Sequence, residues 1–293
     1  MIKASIDIGT NTILLLIANV SGNKVEIIED FHKIARLGEG LDKNGFISYE
    51  AISRAVKILE FYKEQLDSNK VTQIKCVATS AMRDANNSSD VKSIFEKILD
   101  CDVEIIDGEA EARFSFLGSI EDDELNTVID IGGGSTEIIT GKKDKIDNII
   151  SLQTGAVRLS EHNNLFFPFS DSSLKSAGEE LTIIYQKVKS FNFGKVIAVA
   201  GTPNTLAQIN LGLTSYDREI LHNYVMRTNE LDEVINKIKT HTKQDLMDKY
   251  GVHPNRADII LGGALVLRKL LEISNKDEFI VSSNGLRFGV IKS

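Results

Sequence analysis

"NTVIDIGGGSTEIITG", residues 126–141, decides how this chain is read. An apolar run ends in an aspartate, and three glycines, two hydroxyls and a glutamate follow. Residues 3–18, "KASIDIGTNTILLLIA", repeat that order in weaker form. Asp7 and Asp130 hold the same place in the two copies, 123 positions apart (130 minus 7). A hairpin turn needs one or two glycines, not three. Glycine permits positive φ and lets backbone N–H groups come close to a ligand. Ser135 and Thr136 add hydroxyl donors. We read each copy as a phosphate-holding turn and expect the two to face each other. Asp130, an anion beside an anion site, then carries a metal or orients water.

The elements around the two motifs follow one plan. Residues 3–8, 12–20 and 24–30 read as strands, and Ser48 as the cap of a helix whose apolar residues recur at helical spacing to Leu66. Residues 74–79 and 103–107 read as strands, 88–99 as a capped helix, and a further helix follows Gly108. The pattern restarts with strands at 126–131, 135–140 and 146–152. Helices at 155–163 and 171–190, a strand at 195–201, a helix from 202, helices at 229–241 and 256–274, a strand at 278–283 and a final short helix complete it. Two such units imply an internal duplication, with two similar lobes and a ligand cleft.

The 293 residues suffice for one large or two ordinary domains. A net charge of −8 argues against nonspecific nucleic-acid binding. Cys76 and Cys101 show neither metal spacing nor a paired framework, which reads as two free thiols in a reducing cytoplasm. The most apolar stretch, residues 12–20, is short of the ~20 residues that cross a bilayer, so no membrane association is expected. No signal peptide is visible.

Other segments carry two readings each. In "ATSAMRDANN", 78–87, Arg83 is either a phosphate clamp, since a guanidinium fork matches phosphate oxygens, or a surface arginine ahead of a cap at Asn86 or Ser88. In "DGEAEARF", 107–114, Glu109, Glu111 and Arg113 open a helix. Acidic residues there complement the macrodipole, or one of them is a general base. "AVAGTPNTLA", 198–207, is an anion-holding helix start or an ordinary strand-to-helix turn.

In order, "DIGTNT", "ATSAMRDANN", "GEAEARFSFLG", "DIGGGSTE", "GAVRL", "GTPNTLA", "PNRADIILGG" and "SNGLRFG" resemble the exopolyphosphatase and guanosine pentaphosphate phosphohydrolase family from Asp7 to Gly289. The resemblance implies an α/β fold of the actin and sugar-kinase superfamily: two ribonuclease-H-like lobes around a central cleft. Residues 1–121, completed by 284–293, would form lobe I and 122–283 lobe II. It implies a catalytic Glu111, and Asp130 and Glu137 as metal- or water-associated carboxylates. Gly9, Thr10, Asn11, Arg83, Gly132, Gly133, Gly134 and Ser135 would bind phosphate. It also implies magnesium or another divalent cation, a cytoplasmic homodimer, and inorganic polyphosphate or guanosine pentaphosphate as substrate. Two departures stand out. Ala110 and Glu111 stand where many members have two adjacent glutamates, and Leu14 stands where many have an arginine or histidine. Long members carry a further C-terminal helical domain, and the resemblance here covers only the two lobes.

The expected chemistry is hydrolysis of a terminal phosphoanhydride by an in-line water, with Glu111 as base. With aromatics at 6% and no convincing guanine site, polyphosphate is favoured. A kinase using "ILGGALVL", 260–267, in an adenosine pocket and a non-catalytic nucleotide sensor are the competing readings.

Overall fold

The computed structural model describes residues 1–22, 24–143 and 145–293. The chain forms two compact units, Met1–Gly118 with Gly285–Ser293, and Ser119–Asn284.

Unit 1 runs β1 (Ile2–Ile8), β2 (Thr12–Ser21), β3 (Lys24–Ile34), α1 (Leu41–Asn44), α2 (Tyr49–Ser68), β4 (Gln73–Ala78), α3 (Ser80–Asp84), α4 (Ser88–Leu99), β5 (Val103–Ile105) and α5 (Gly108–Ser119). Its sheet order is β3-β2-β1-β4-β5. The first three strands are antiparallel, and β4 and β5 continue parallel to β1. Strand side chains alternate between faces. Ile13, Leu15 and Ile17 of β2 therefore enter one core with Ala51, Ala55, Leu59 and Tyr62 of α2. Leu16 and Ala18 enter another with Phe288 and Ile291. Burial on both faces is why residues 12–20 read as a continuous apolar run rather than an alternating one. Ser48 caps α2 as expected, its Oγ accepting the Ala51 N–H at 3.2 Å. The side-chain cap expected on the 88–99 helix is not made. Asn87 precedes it, and its amide instead exchanges two hydrogen bonds with the backbone of Ile47.

Unit 2 runs β6 (Asn126–Ile131), β7 (Thr136–Lys142), β8 (Lys145–Leu152), α6 (Ala156–His162), α7 (Asp171–Ile184), β9 (Lys195–Val199), α8 (Gly201–Leu211), α9 (Arg218–Leu221), β10 (Val225–Arg227), α10 (Thr228–Thr240), α11 (Lys243–Tyr250), α12 (Pro254–Ala257), α13 (Ile260–Ser274) and β11 (Glu278–Val281). The order is β10-β11-β9-β6-β7-β8. Read from its other edge, β8-β7-β6-β9-β11 repeats unit 1: three antiparallel strands, then two parallel. The repeat extends to detail. Gly9 N–H donates to the Thr12 carbonyl and Gly132 N–H to that of Ser135, both at 3.0 Å. Register shifts fall at Ile17/Ala18 in β2 and at Thr140/Gly141 in β7, again 123 positions apart (140 minus 17). Each unit is thus an α/β, ribonuclease-H-like lobe.

Three expectations change. The 256–274 helix divides into α12 and α13, because Ile259 leaves helical geometry at φ −119°. The 171–190 helix stops at Ile184 and tightens into a 3₁₀ turn, Tyr185–Val188. The strand β10 and the helix α11 were not expected. Each buries one side chain, Met226 and Leu246 respectively, too few to make a periodic signal.

The last helix, α14 (Leu286–Lys292), belongs to unit 1. Arg287, 3% exposed, donates through Nε and Nη2 to both carboxylate oxygens of Asp30, at 3.0 and 2.9 Å. A Cβ at Gly289 would collide with the Phe114 carbonyl, so glycine permits α14 to cross α5. Among the described residues no helix is long and apolar enough to cross a membrane.

Candidate active site

In unit 1, β4 delivers α3 and its Arg83, while β5 delivers α5. Asp107 starts α5: its Oδ1 accepts the Ala110 N–H at 2.8 Å and its carbonyl the Glu111 N–H at 3.0 Å. Glu111 is buried, and Arg83 Nη1 donates to its Oε2 at 3.1 Å and to the Ile106 carbonyl at 2.8 Å. Arg83 Nη2 is buried and has no hydrogen-bond partner among the described residues. The surface-arginine reading therefore does not describe Arg83. Glu109, two residues from Glu111, is exposed and pairs with Arg113 at 2.6 Å. One first turn thus holds a surface carboxylate and a buried one.

The 9–11 turn of unit 1 is held from one side. Ala35 and Arg36 donate N–H groups to the Asn11 carbonyl at 3.0 and 2.9 Å, and Gly38 donates to the Thr10 carbonyl at 2.9 Å. Thr10 and Asn11 are both buried, and Asn11 Oδ1 has no hydrogen-bond partner among the described residues.

Unit 2 builds its turn similarly. Ala156 N–H donates to the Gly132 carbonyl at 2.9 Å, and Val157 and Arg158 donate to the Gly133 carbonyl at 2.9 and 3.1 Å. A trans peptide sets its C=O and N–H in opposite directions. The carbonyls of Gly132 and Gly133 point at the start of α6, so the amides of Gly133 and Gly134 point away from it. That is the polarity an anion cradle needs. The glycines do not serve through positive φ, as the sequence reading supposed. Among the described residues the left-handed glycines are Gly22, Gly40, Gly45, Gly212, Gly251 and Gly285. Close approach does explain the glycine at 155: a Cβ there would lie 2.6 Å from the Gly133 oxygen and 2.7 Å from that of Gly132. Ser135 is buried beside this turn, and Thr136 Oγ1 donates to the Thr154 carbonyl at 2.5 Å.

Asp130 and Glu137 pair directly across β6 and β7, so both side chains lie on one face of the sheet. Both are buried, and Ser151 Oγ donates to Glu137 Oε1 at 2.7 Å. Among the described residues no group of three or more His, Cys, Asp or Glu side chains could hold a metal. Magnesium commonly takes only one or two carboxylates and completes its shell with water and substrate phosphate. The donor chemistry of Asp130 and Glu137 fits that pattern.

Sequence reasoning missed Ser151 and Arg256. The alternation of β8 against β7 could have marked Ser151. Arg256 lies over the start of α8: its Nη1 donates to the Gly201 carbonyl at 3.4 Å and to Thr205 Oγ1 at 3.3 Å. A Cβ on Gly201 would come within 2.6 Å of its guanidinium. The strand-to-helix turn at 198–207 thus carries a cation that spacing did not reveal. "ILGGALVL" forms the buried part of α13, where Gly262 packs on Ser160 and Ala156, and Gly263 on Thr202. Those glycines serve helix packing, which leaves the kinase reading without its proposed adenosine pocket.

A model of the Ppx/GppA phosphatase family matches residues 16–293. The chain is 34% identical to a bifunctional 3-dehydroquinate synthase/phosphatase of Fusobacterium nucleatum, across 99% of this chain. It spans 46% of that relative's length. It is 32% identical to exopolyphosphatase 2 of Mycobacterium tuberculosis, across 99% of this chain and 97% of that protein. The solved structure of the Aquifex aeolicus PPX-GPPA enzyme superposes with a TM-score of 0.83 at 33% identity, covering 100% of this chain and 99% of that one.

Proposed function

Because the chain belongs to the Ppx/GppA phosphatase family, we propose that it hydrolyses the terminal phosphoanhydride of inorganic polyphosphate and releases phosphate. The observation that carries this reading is the Arg83–Glu111 pair. One terminal guanidinium nitrogen, Nη1, orients the Glu111 carboxylate, and the other, Nη2, is a buried donor without a partner among the described residues. A buried unpaired donor costs stability, about 1–3 kcal/mol. An oxyanion of the substrate would satisfy it.

The roles then divide by unit. In unit 1, Glu111 accepts the proton of the attacking water, Arg83 binds a phosphate oxygen, and the turn at Gly9, Thr10 and Asn11 offers further donors. In unit 2, the amides of Gly133 and Gly134 and the Ser135 hydroxyl bind phosphate oxygens. Asp130 and Glu137 would hold a magnesium ion, which offsets phosphate charge when bound. The leaving group is the shortened polyphosphate. Its terminal oxygen is a weak base, so the reaction depends on positioning and charge more than on a strong general acid.

The names of two relatives support phosphoanhydride substrates, and the aromatic content of 6% supports a chain of phosphates over a stacked base. The test is phosphate release from long-chain polyphosphate and from guanosine pentaphosphate, side by side with magnesium. Faster kcat/KM on polyphosphate is expected. Release from guanosine pentaphosphate alone would replace the substrate, and release from neither would favour the sensor reading.

A further inference from the structure

Thr136 follows the glycine turn and opens β7, and from sequence its hydroxyl reads as one more donor for phosphate. The fold gives it another partner. Thr136 is fully buried, in register with Ile131 of β6 and Leu152 of β8. Side chains alternate along a strand, so it faces away from the side that carries Glu137. Its Oγ1 donates to the carbonyl of Thr154, a residue equally buried, at 2.5 Å. A hydroxyl has one proton to give, so none is left for a phosphate oxygen.

That bond closes a ring behind the turn. Leu152 ends β8, and its carbonyl accepts the Thr154 N–H at 2.7 Å, which bends the chain. Gly155 follows, and then the first amides of α6, which donate to the carbonyls of Gly132 and Gly133. The Gly132 N–H closes the turn on the Ser135 carbonyl, and Thr136 comes next. Of these bonds, only that of Thr136 uses a side chain. Thr154 stands two residues before Ala156. Freeing its carbonyl therefore lets the start of α6 shift, and with it the peptide planes of Gly132 and Gly133.

We propose that Thr136 is a positioning residue of the phosphate turn: its hydroxyl fixes the Thr154 carbonyl and, through the start of α6, keeps the Gly133 and Gly134 amides aimed at phosphate. The proposal rests on the phosphoanhydride reading above. Those amides bind phosphate oxygens in substrate and transition state alike, and Glu111 stands outside the ring. Losing the bond therefore weakens binding more than turnover.

The experiment compares the wild type with Thr136→Val, Thr136→Ser and Thr136→Cys in phosphate release from long-chain polyphosphate with magnesium. Valine keeps the volume and loses the hydroxyl; serine keeps the hydroxyl and loses a methyl group. Thr136→Val should raise KM roughly tenfold, about the worth of one hydrogen bond, with kcat largely kept, and Thr136→Ser should keep the wild-type KM. A packing role predicts the reverse order, with valine near wild type and serine impaired, and that order would overturn the proposal. So would a loss in Thr136→Val confined to kcat. Should the valine variant not fold, serine and cysteine decide, because they share a shape and the thiol is a weak donor. Thr136→Cys should then raise KM and Thr136→Ser should not; equal values would overturn the proposal. A wild type inactive on polyphosphate would defeat the substrate reading and leave this one standing to be tested by equilibrium binding of inorganic tripolyphosphate. The valine and cysteine variants should bind it more weakly than the wild type and the serine variant. Equal affinities, or no binding by any of the four chains, would overturn the proposal.

Discussion

Asp130 on β6 stands directly opposite Glu137 on β7, and at the corresponding place in the other unit Asp7 stands directly opposite Leu14. The backbones repeat, but only one hairpin presents two carboxylates. On the proposed reading, a divalent cation would find its pair of hairpin carboxylates in unit 2. Asp130→Asn should raise the magnesium concentration needed for half-maximal phosphate release and lower the maximal rate. Leu14→Ala should leave the magnesium requirement unchanged. Titrating magnesium against turnover for both variants checks this.

Ser151 touches Glu137 and no proposed substrate group, so its loss should act through the carboxylate it orients. Removing a hydrogen-bond partner of a metal ligand typically weakens metal affinity about 10–100-fold. Ser151→Ala should show that weakening at saturating polyphosphate, with kcat largely restored by high magnesium. A drop in kcat that magnesium does not rescue would remove Ser151 from this role.

Glu111 and Glu109 separate base from surface charge. Glu111→Gln should lower kcat by ~10²–10⁴ while polyphosphate still binds. Glu109→Gln removes an exposed i,i+4 pair with Arg113 and should leave kcat within a small factor. Equal losses in the two variants would place the base elsewhere. Glu137 is the next candidate.

The turn in unit 2 tests close approach against chain reversal. Gly155→Val would push a branched side chain into the carbonyls of Gly132 and Gly133 and tilt the amides on their far side. The expected result is a raised KM for polyphosphate in a chain that still melts cooperatively. Gly178→Ala is the control, since nothing lies within 4 Å of a Cβ there. Unchanged kinetics in Gly155→Val would return the turn to an ordinary hairpin.

Acid should loosen unit 1 through Asp30. Burial alone would raise its pKa, but the Arg287 charge and hydrogen bonds from His32 and Arg287 outweigh burial and hold the carboxyl well below the usual range. The group is depressed in the folded state. Its contribution is therefore complete above the unfolded carboxylate pKa of about 4 and is lost as pH falls below that value. Asp30→Asn should flatten the acid limb of a urea-midpoint profile. Arg287→Met at neutral pH should cost about 3–5 kcal/mol, because it removes the bidentate guanidinium from a buried carboxylate and leaves His32 beside it.

The repeated Asp-Ile-Gly motif was enough to announce two related units, because a strand-turn-strand with a fixed polar turn is a local pattern. Ser48 was readable for the same reason: a cap depends on three neighbouring residues. Positive φ at the glycine turn was misread. Sequence says that a side chain is absent, not whether torsion or a neighbour requires it; at Gly155 the requirement is the close carbonyls of Gly132 and Gly133. The 88–99 helix shows the same limit, since Asn87 spends its amide on Ile47, forty positions away.

What residue order alone determined was the class of fold and the list of chemically able side chains, because periodicity and turn chemistry are written within a few residues. Only the tertiary structure decided what each side chain does. It buried Glu111 against Arg83 and left Glu109 in water. It set Ser151 on Glu137 and laid Arg256 over Gly201. Burial and charge pairing come from residues far apart in the chain meeting in space, and no local window of sequence contains that meeting.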